Sequence, residues 1–96
     1  MATQTEEIRT GTRMITLSAS QTDNYATFYQ HARSLTIRAD DDVWINFDAV
    51  ATTAVPSIFL KNGEVLNIND VNYTTIHVIK VGSGTTTVRV TYQYIV

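Results

Sequence analysis

The stretch Thr87-Val88-Arg89-Val90-Thr91-Tyr92-Gln93-Tyr94-Ile95-Val96 places an apolar residue at every second position from Val88 onward. Successive side chains of a β-strand point to opposite faces, so Val88, Val90, Tyr92, Tyr94 and Val96 share one face while Arg89, Thr91, Gln93 and Ile95 share the other. On a helix the same residues would be scattered around the whole circumference and could not be buried together. Shorter runs keep the rhythm: Ile15 with Leu17, Leu35 with Ile37, and Val43 with Ile45 and Phe47. In the last of these Trp44, Asn46 and Asp48 fall on the opposite face.

Turn residues separate the runs. Asp40-Asp41-Asp42 precedes Val43, and the expected element there is a hairpin or a corner between sheets. Asn62-Gly63 lies between Ser57-Ile58-Phe59-Leu60 and Val65-Leu66-Asn67-Ile68, and Asn-Gly tolerates the positive φ of a tight hairpin. Residues 49–56 are small and contain the only proline, Pro56, which disfavours a central strand and suggests a crossing between sheets. Further turns are expected at 69–72 and at Gly82-Ser83-Gly84, with a strand over 75–81 between them. Residues 25–30 fit either a short strand or a helical turn, because Tyr25, Phe28 and Tyr29 follow an i, i+3, i+4 spacing.

Seven or eight short strands with no amphipathic helix predict an all-β chain, a small antiparallel sandwich, jelly roll or barrel. The expected core comprises Ile15, Leu35, Ile37, Val43, Ile45, Phe47, Ile58, Leu60, Leu66, Ile68, Val88, Val90 and Tyr92. Residues 8–96 are expected to form one domain, because 96 residues contain no second apolar block. Residues 1–7 have no strong apolar residue after Met1 and are expected to form a mobile arm.

Composition narrows the partners. With 17% charged residues and a net charge of −2, the chain lacks the broad positive field that nucleic acid or an anionic membrane requires. Thr is its commonest residue, which suits half-exposed strands. Without Cys there is neither a disulfide nor a thiolate metal site, and such a chain is compatible with a reducing cytosol. Residues 1–12 lack the apolar stretch of a secretory signal, so export by that route is not expected.

The residues that could carry chemistry have ordinary readings. His31 and His77 lack ligand-type spacing, and Asp40-Asp41-Asp42 lacks the spaced acids and glycine of a calcium loop. Asn67-Ile68-Asn69-Asp70 reads as a strand end and Asx turn, and Asn72-Tyr73-Thr74 as a chance match to a glycosylation acceptor. There is no nucleophile elbow, phosphate-binding glycine loop or H-E-x-x-H, so neither enzymatic activity nor a cofactor or metal is expected. Two residues stand out as contact candidates, Trp44 opposite the Val43 face and Ile95 opposite the Tyr94 face.

Arg33-Ser34-Leu35-Thr36-Ile37-Arg38-Ala39-Asp40 leading into Val43-Trp44-Ile45-Asn46-Phe47, followed by Phe59-Leu60-Lys61-Asn62-Gly63-Glu64-Val65-Leu66 and Gly84-Thr85-Thr86-Thr87-Val88-Arg89-Val90-Thr91-Tyr92, resembles small β-sandwich virion proteins of tailed bacteriophages. The likeness is to capsid decoration, or cement, proteins. It implies a homo-oligomer, commonly a trimer, made in the host cytoplasm and bound on the virion to the major capsid protein, which it reinforces. The polar arm, with Thr3, Gln4, Thr5, Glu6 and Glu7, would then lie across a partner beside Trp44 and Ile95. Self-association through sheet edges is expected on physical grounds too, since Lys61 and Lys80 are the only lysines available to blunt them. Two alternatives remain open: another virion part, in the tail or adsorption apparatus, and a carbohydrate-binding module that stacks sugars on Trp44.

Overall fold

The structure is a computed structural model that describes residues 9–96. Eight strands run in order: β1 Thr10–Ala19, β2 Asn24–Ala32, β3 Ser34–Ala39, β4 Val43–Phe47, β5 Ile58–Leu60, β6 Val65–Ile68, β7 Tyr73–Lys80 and β8 Thr86–Ile95. They form two four-stranded sheets, with orders β1-β8-β3-β6 and β2-β7-β4-β5. All pairings are antiparallel. Every connection passes from one sheet to the other except that between β4 and β5. This is the eight-stranded jelly roll, a two-sheet solution that buries one face of each sheet.

The alternation in the sequence selects the buried faces. Leu35 and Ile37 of β3, Val43 and Ile45 of β4, and Val88, Val90 and Tyr92 of β8 are buried, while Ile15, Phe47, Leu66 and Ile68 pack partly exposed against them. Complete burial of a Val, Ile or aromatic side chain contributes roughly 1.5–3 kcal/mol. Ile58, expected in the core, is 38% exposed because β5 is only three residues long and forms a sheet edge. Phe28, Ile76 and Val78, which were not expected in the core, are buried.

Two local expectations are corrected. Asn62-Gly63 does turn the chain, with Gly63 at φ 84 and the Glu64 N–H donating to Lys61 O at 3.0 Å, but it does not close a hairpin. Only Gly63 of the two central residues has positive φ, whereas a type I′ hairpin requires both, and β5 and β6 belong to different sheets. Residues 49–56 in turn do not cross between sheets, because β4 and β5 are neighbours. Asp40-Asp41-Asp42 forms the sheet-to-sheet corner rather than a hairpin.

The ambiguous segment is a bulged strand. Between the pairs Thr27↔Thr75 and Ala32↔Tyr73, the residues Phe28 to His31 lie opposite Thr74 alone. The excess frees the Tyr29 N–H from the ladder, and it donates instead to the Tyr92 hydroxyl at 2.9 Å. The bulge lets adjacent rings meet the other sheet together, Phe28 against Tyr92 at 4.7 Å and Tyr29 against Tyr94 at 5.6 Å. A helix-like aromatic spacing therefore arose from a bulge.

The alternating strand directions leave two poles. The upper one carries the β1–β2, β3–β4, β5–β6 and β7–β8 connections. The lower one carries the β2–β3, β4–β5 and β6–β7 connections together with Arg9 and Val96.

Candidate functional site

Three regions expose groups that could engage another molecule: the sheet edges, the outer face of the β2-β7-β4-β5 sheet, and the lower pole.

The edges fall on two unlike sides. β1 and β2, 10 and 9 residues long, form the long side, and β5 and β6, 3 and 4 residues long, form the short side. Neither long strand contains a Lys. The guanidinium of Arg13, the only Lys, Arg, Asp or Glu side chain of β1 or β2, lies 3.7 Å over the Tyr29 ring instead of guarding the edge. Along the short side Ile58, Phe59 and Val65 remain exposed. Unpaired strand edges with an apolar border are surfaces that another chain can extend.

On the outer face of the β2-β7-β4-β5 sheet the register aligns Phe59, Trp44 and Ile79 in one row and Asn46, His77 and Tyr25 in the next. Trp44 is half-buried. Its ring is 5.2 Å from that of Phe59 and tilted by 54°, so the pair does not make the flat platform on which a sugar ring stacks. In the second row, His77 Nδ1 donates to Asp23 Oδ2 at 2.9 Å, and Thr75 Oγ1 lies 3.2 Å from Nε2. A carboxylate–imidazole–hydroxyl chain has the order of a nucleophilic relay. What this one joins is loops: Asp23 Oδ1 accepts the Ala51 N–H, and Asp48 Oδ1 accepts the N–H groups of Thr74 and Thr75. Neither groove of the lower pole is lined by Thr75.

The upper pole is closed by charge. Lys80, its side chain 8% exposed, reaches Asp41 Oδ2 at 3.2 Å and donates to the carbonyls of Val81 and Ser83. The Asp41 carboxyl is held below its ordinary 3.8, first by the Asp42 N–H and then by Lys80. Arg89 is bound to both oxygens of Asp40, and Asp42 Oδ1 accepts the Asn62 N–H. The acidic run is thus a tie between loops and not an open cation site.

The lower pole contrasts with it. A groove of about 400 Å³ is lined by Arg33, Asp70, Val71, Asn72 and Ile95. It adjoins a second of about 280 Å³ formed by Gln30, His31, Arg33, Asn72 and Ile95. His31 Nδ1 donates to Asn72 Oδ1 at 2.9 Å, which fixes both side chains on the wall. The Arg33 backbone is anchored, its N–H to Gln93 O and its carbonyl to the Val71 N–H, while its side chain enters no ion pair among the described residues.

Of the contact residues expected from the sequence, Ile95 is 41% exposed on the groove wall, whereas Trp44 lies on the other sheet and is not brought near it. Thr3, Gln4, Thr5, Glu6 and Glu7 lie outside the described residues. Arg33, His31 and Asn72 were not singled out as a site from the sequence, since nothing in it joins positions 31–33 to 72 and 95.

Fold and surfaces together define a small jelly roll with open edges. No family model matches the chain, and no curated protein does. A solved structure from work described as "Bacillus endospore appendages form a novel family of disulfide-linked pili" is similar over 100% of this chain and 95% of that one, with 18% identity and a TM-score of 0.53. At that identity the likeness is one of fold.

Proposed function

We propose that this chain is a non-enzymatic structural subunit that assembles with copies of itself on the outside of a cell or virion. The observation that carries the proposal is the pairing of unlike sides, each with edge strands unpaired among the described residues: a long one of β1 and β2 that exposes Met14, Tyr25 and Tyr29, and a short one of β5 and β6 that exposes Ile58, Phe59 and Val65. A contact between unlike surfaces repeats in one direction, giving a ring where its rotation closes and a filament where it does not. A trimer, as the phage resemblance implies, arises only when each step rotates by a third of a turn. The structural likeness to a pilus protein supports the filament, and the resemblance to decoration proteins supports a shell-bound form in which the major capsid protein is the second partner. The unlike sides favour the filament. Pili of the similar protein are described as disulfide-linked, but this chain has no Cys, so no disulfide links its copies.

Negative-stain electron microscopy of concentrated protein tests this reading. Rings or filaments that persist in excess reductant are expected. Dispersed single domains that instead coat and stabilise undecorated phage capsids would replace the filament with the shell.

A further inference from the structure

The tie between the β3–β4 and β5–β6 connections runs through a residue with chemistry of its own. Asp42 Oδ1 accepts the Asn62 N–H at 2.8 Å, and Asn62 is followed by Gly63. The carboxamide carbon of an asparagine is an electrophile for the backbone nitrogen of the next residue, and the five-membered ring closes most readily where that residue has no side chain in the way. Asn62 alone has such a neighbour: Asn24 precedes Tyr25, Asn46 precedes Phe47, Asn67 precedes Ile68, Asn69 precedes Asp70 and Asn72 precedes Tyr73.

Both reacting groups are free in the fold. Asn62 is exposed, and its carboxamide makes no hydrogen bond among the described residues. The carboxamides of Asn24, Asn46, Asn67 and Asn72 are each held by one. The Gly63 N–H has no acceptor among the described residues, since the turn is closed one residue later by the Glu64 N–H on Lys61 O at 3.0 Å. Gly63 has φ 84 and nothing within 4 Å of where a Cβ would stand, so its peptide has room to swing toward Asn62 Cγ.

We propose that Asn62 is a site of spontaneous deamidation, with water as the only co-reactant, and that its conversion loosens the closure of the upper pole. Hydroxide takes the proton of the Gly63 N–H, the nitrogen attacks Asn62 Cγ, and the carboxamide nitrogen leaves as ammonia, which closes a succinimide. Water then opens the ring at either carbonyl. Cleavage between Gly63 N and Cγ gives aspartate, whereas cleavage between Gly63 N and the Asn62 backbone carbonyl carbon gives isoaspartate, whose main chain runs through Cβ and Cγ. Either product puts a carboxylate on the residue whose N–H Asp42 binds, close in the chain to Glu64, and like charges side by side weaken that tie. Isoaspartate also lengthens the turn by one backbone carbon between Lys61 and Glu64, the two residues whose hydrogen bond closes it.

Peptide mapping by mass spectrometry, after storage of the folded full chain at mildly alkaline pH, tests this. The mass gain of an amide becoming an acid should accumulate at Asn62 several-fold faster than at any other asparagine, as an aspartate and an isoaspartate form that separate chromatographically. Gly63→Ala should suppress it, because the methyl group obstructs the attack, and should leave the other asparagines unchanged. The thermal midpoint of the stored wild type should fall by a few degrees; Asn62→Asp should reproduce the part due to charge, and Asn62→Gln stored alongside should show neither mass gain nor fall. Asn62 that stays intact in the folded chain while it converts in urea would overturn the proposal, because the turn would then protect it. A gain spread evenly over the asparagines would overturn the site, and conversion at Asn62 with an unchanged midpoint would overturn the loosening of the pole.

Discussion

The two poles of the sandwich are built from similar connections but spend their charge differently. At the upper pole Lys80 pairs with Asp41, Arg89 with Asp40, and Asp42 accepts the Asn62 N–H, so the acidic run ties the β3–β4, β5–β6 and β7–β8 connections together. At the lower pole Arg33 enters no ion pair among the described residues, and the connections part to leave a groove. Charges that serve the fold are paired within it, while an exposed charge left over on a concave surface is available to something else. The upper pole is therefore read as a closure and the lower pole as a contact.

The largest effect should come from Tyr92, which spans the interior between the β2 bulge and β8. Tyr92→Ala removes a ring that is 2% exposed and should cost about 3–5 kcal/mol in urea unfolding. Tyr92→Phe keeps the ring but strands the Tyr29 N–H, and about 1–3 kcal/mol is expected, with faster amide exchange confined to β2. Faster exchange spread evenly over both sheets would show that the Tyr92 hydroxyl is not a local tie of the β2 bulge.

A smaller loss is expected at the upper pole. Gly63 has φ 84 and open space around the position of a Cβ, so Gly63→Ala meets only backbone strain, about 1–2 kcal/mol. Thermal unfolding measures it, and an unchanged midpoint would show that the β5–β6 turn adapts freely.

The least effect is in titration. Because Asp41 is lowered in the folded state, its stabilisation is complete above 3.8 and is lost as pH falls through the lowered folded value. Lys80→Met should move the Asp41 titration part of the way back toward 3.8 in a carbon-detected NMR series, the remainder being held by the Asp42 N–H. A titration identical in variant and wild type would show that Lys80 does not close the pole.

How much of this was readable in the sequence depends on how local each feature is. β3, β4 and β8 alternate strictly, and their buried residues follow directly. In β7 apolar residues occupy both faces, Ile76 and Val78 inward and Ile79 outward, so the alternation that would have marked the core is lost. Asn62-Gly63 revealed a turn but not its sheet partners, which are decided by packing far along the chain. For the same reason the groove was hidden: three connected segments build it, and only Ile95 carried a sign of exposure in its own strand. The edge lengths that separate the two sides became visible only with the pairing order.

Self-association is the central claim, and sedimentation equilibrium of the wild-type chain over a wide concentration range tests it most directly. The average mass should rise with concentration above the 10.7 kDa of one chain and be indifferent to reductant, because no Cys is present. A constant 10.7 kDa at high concentration would contradict it.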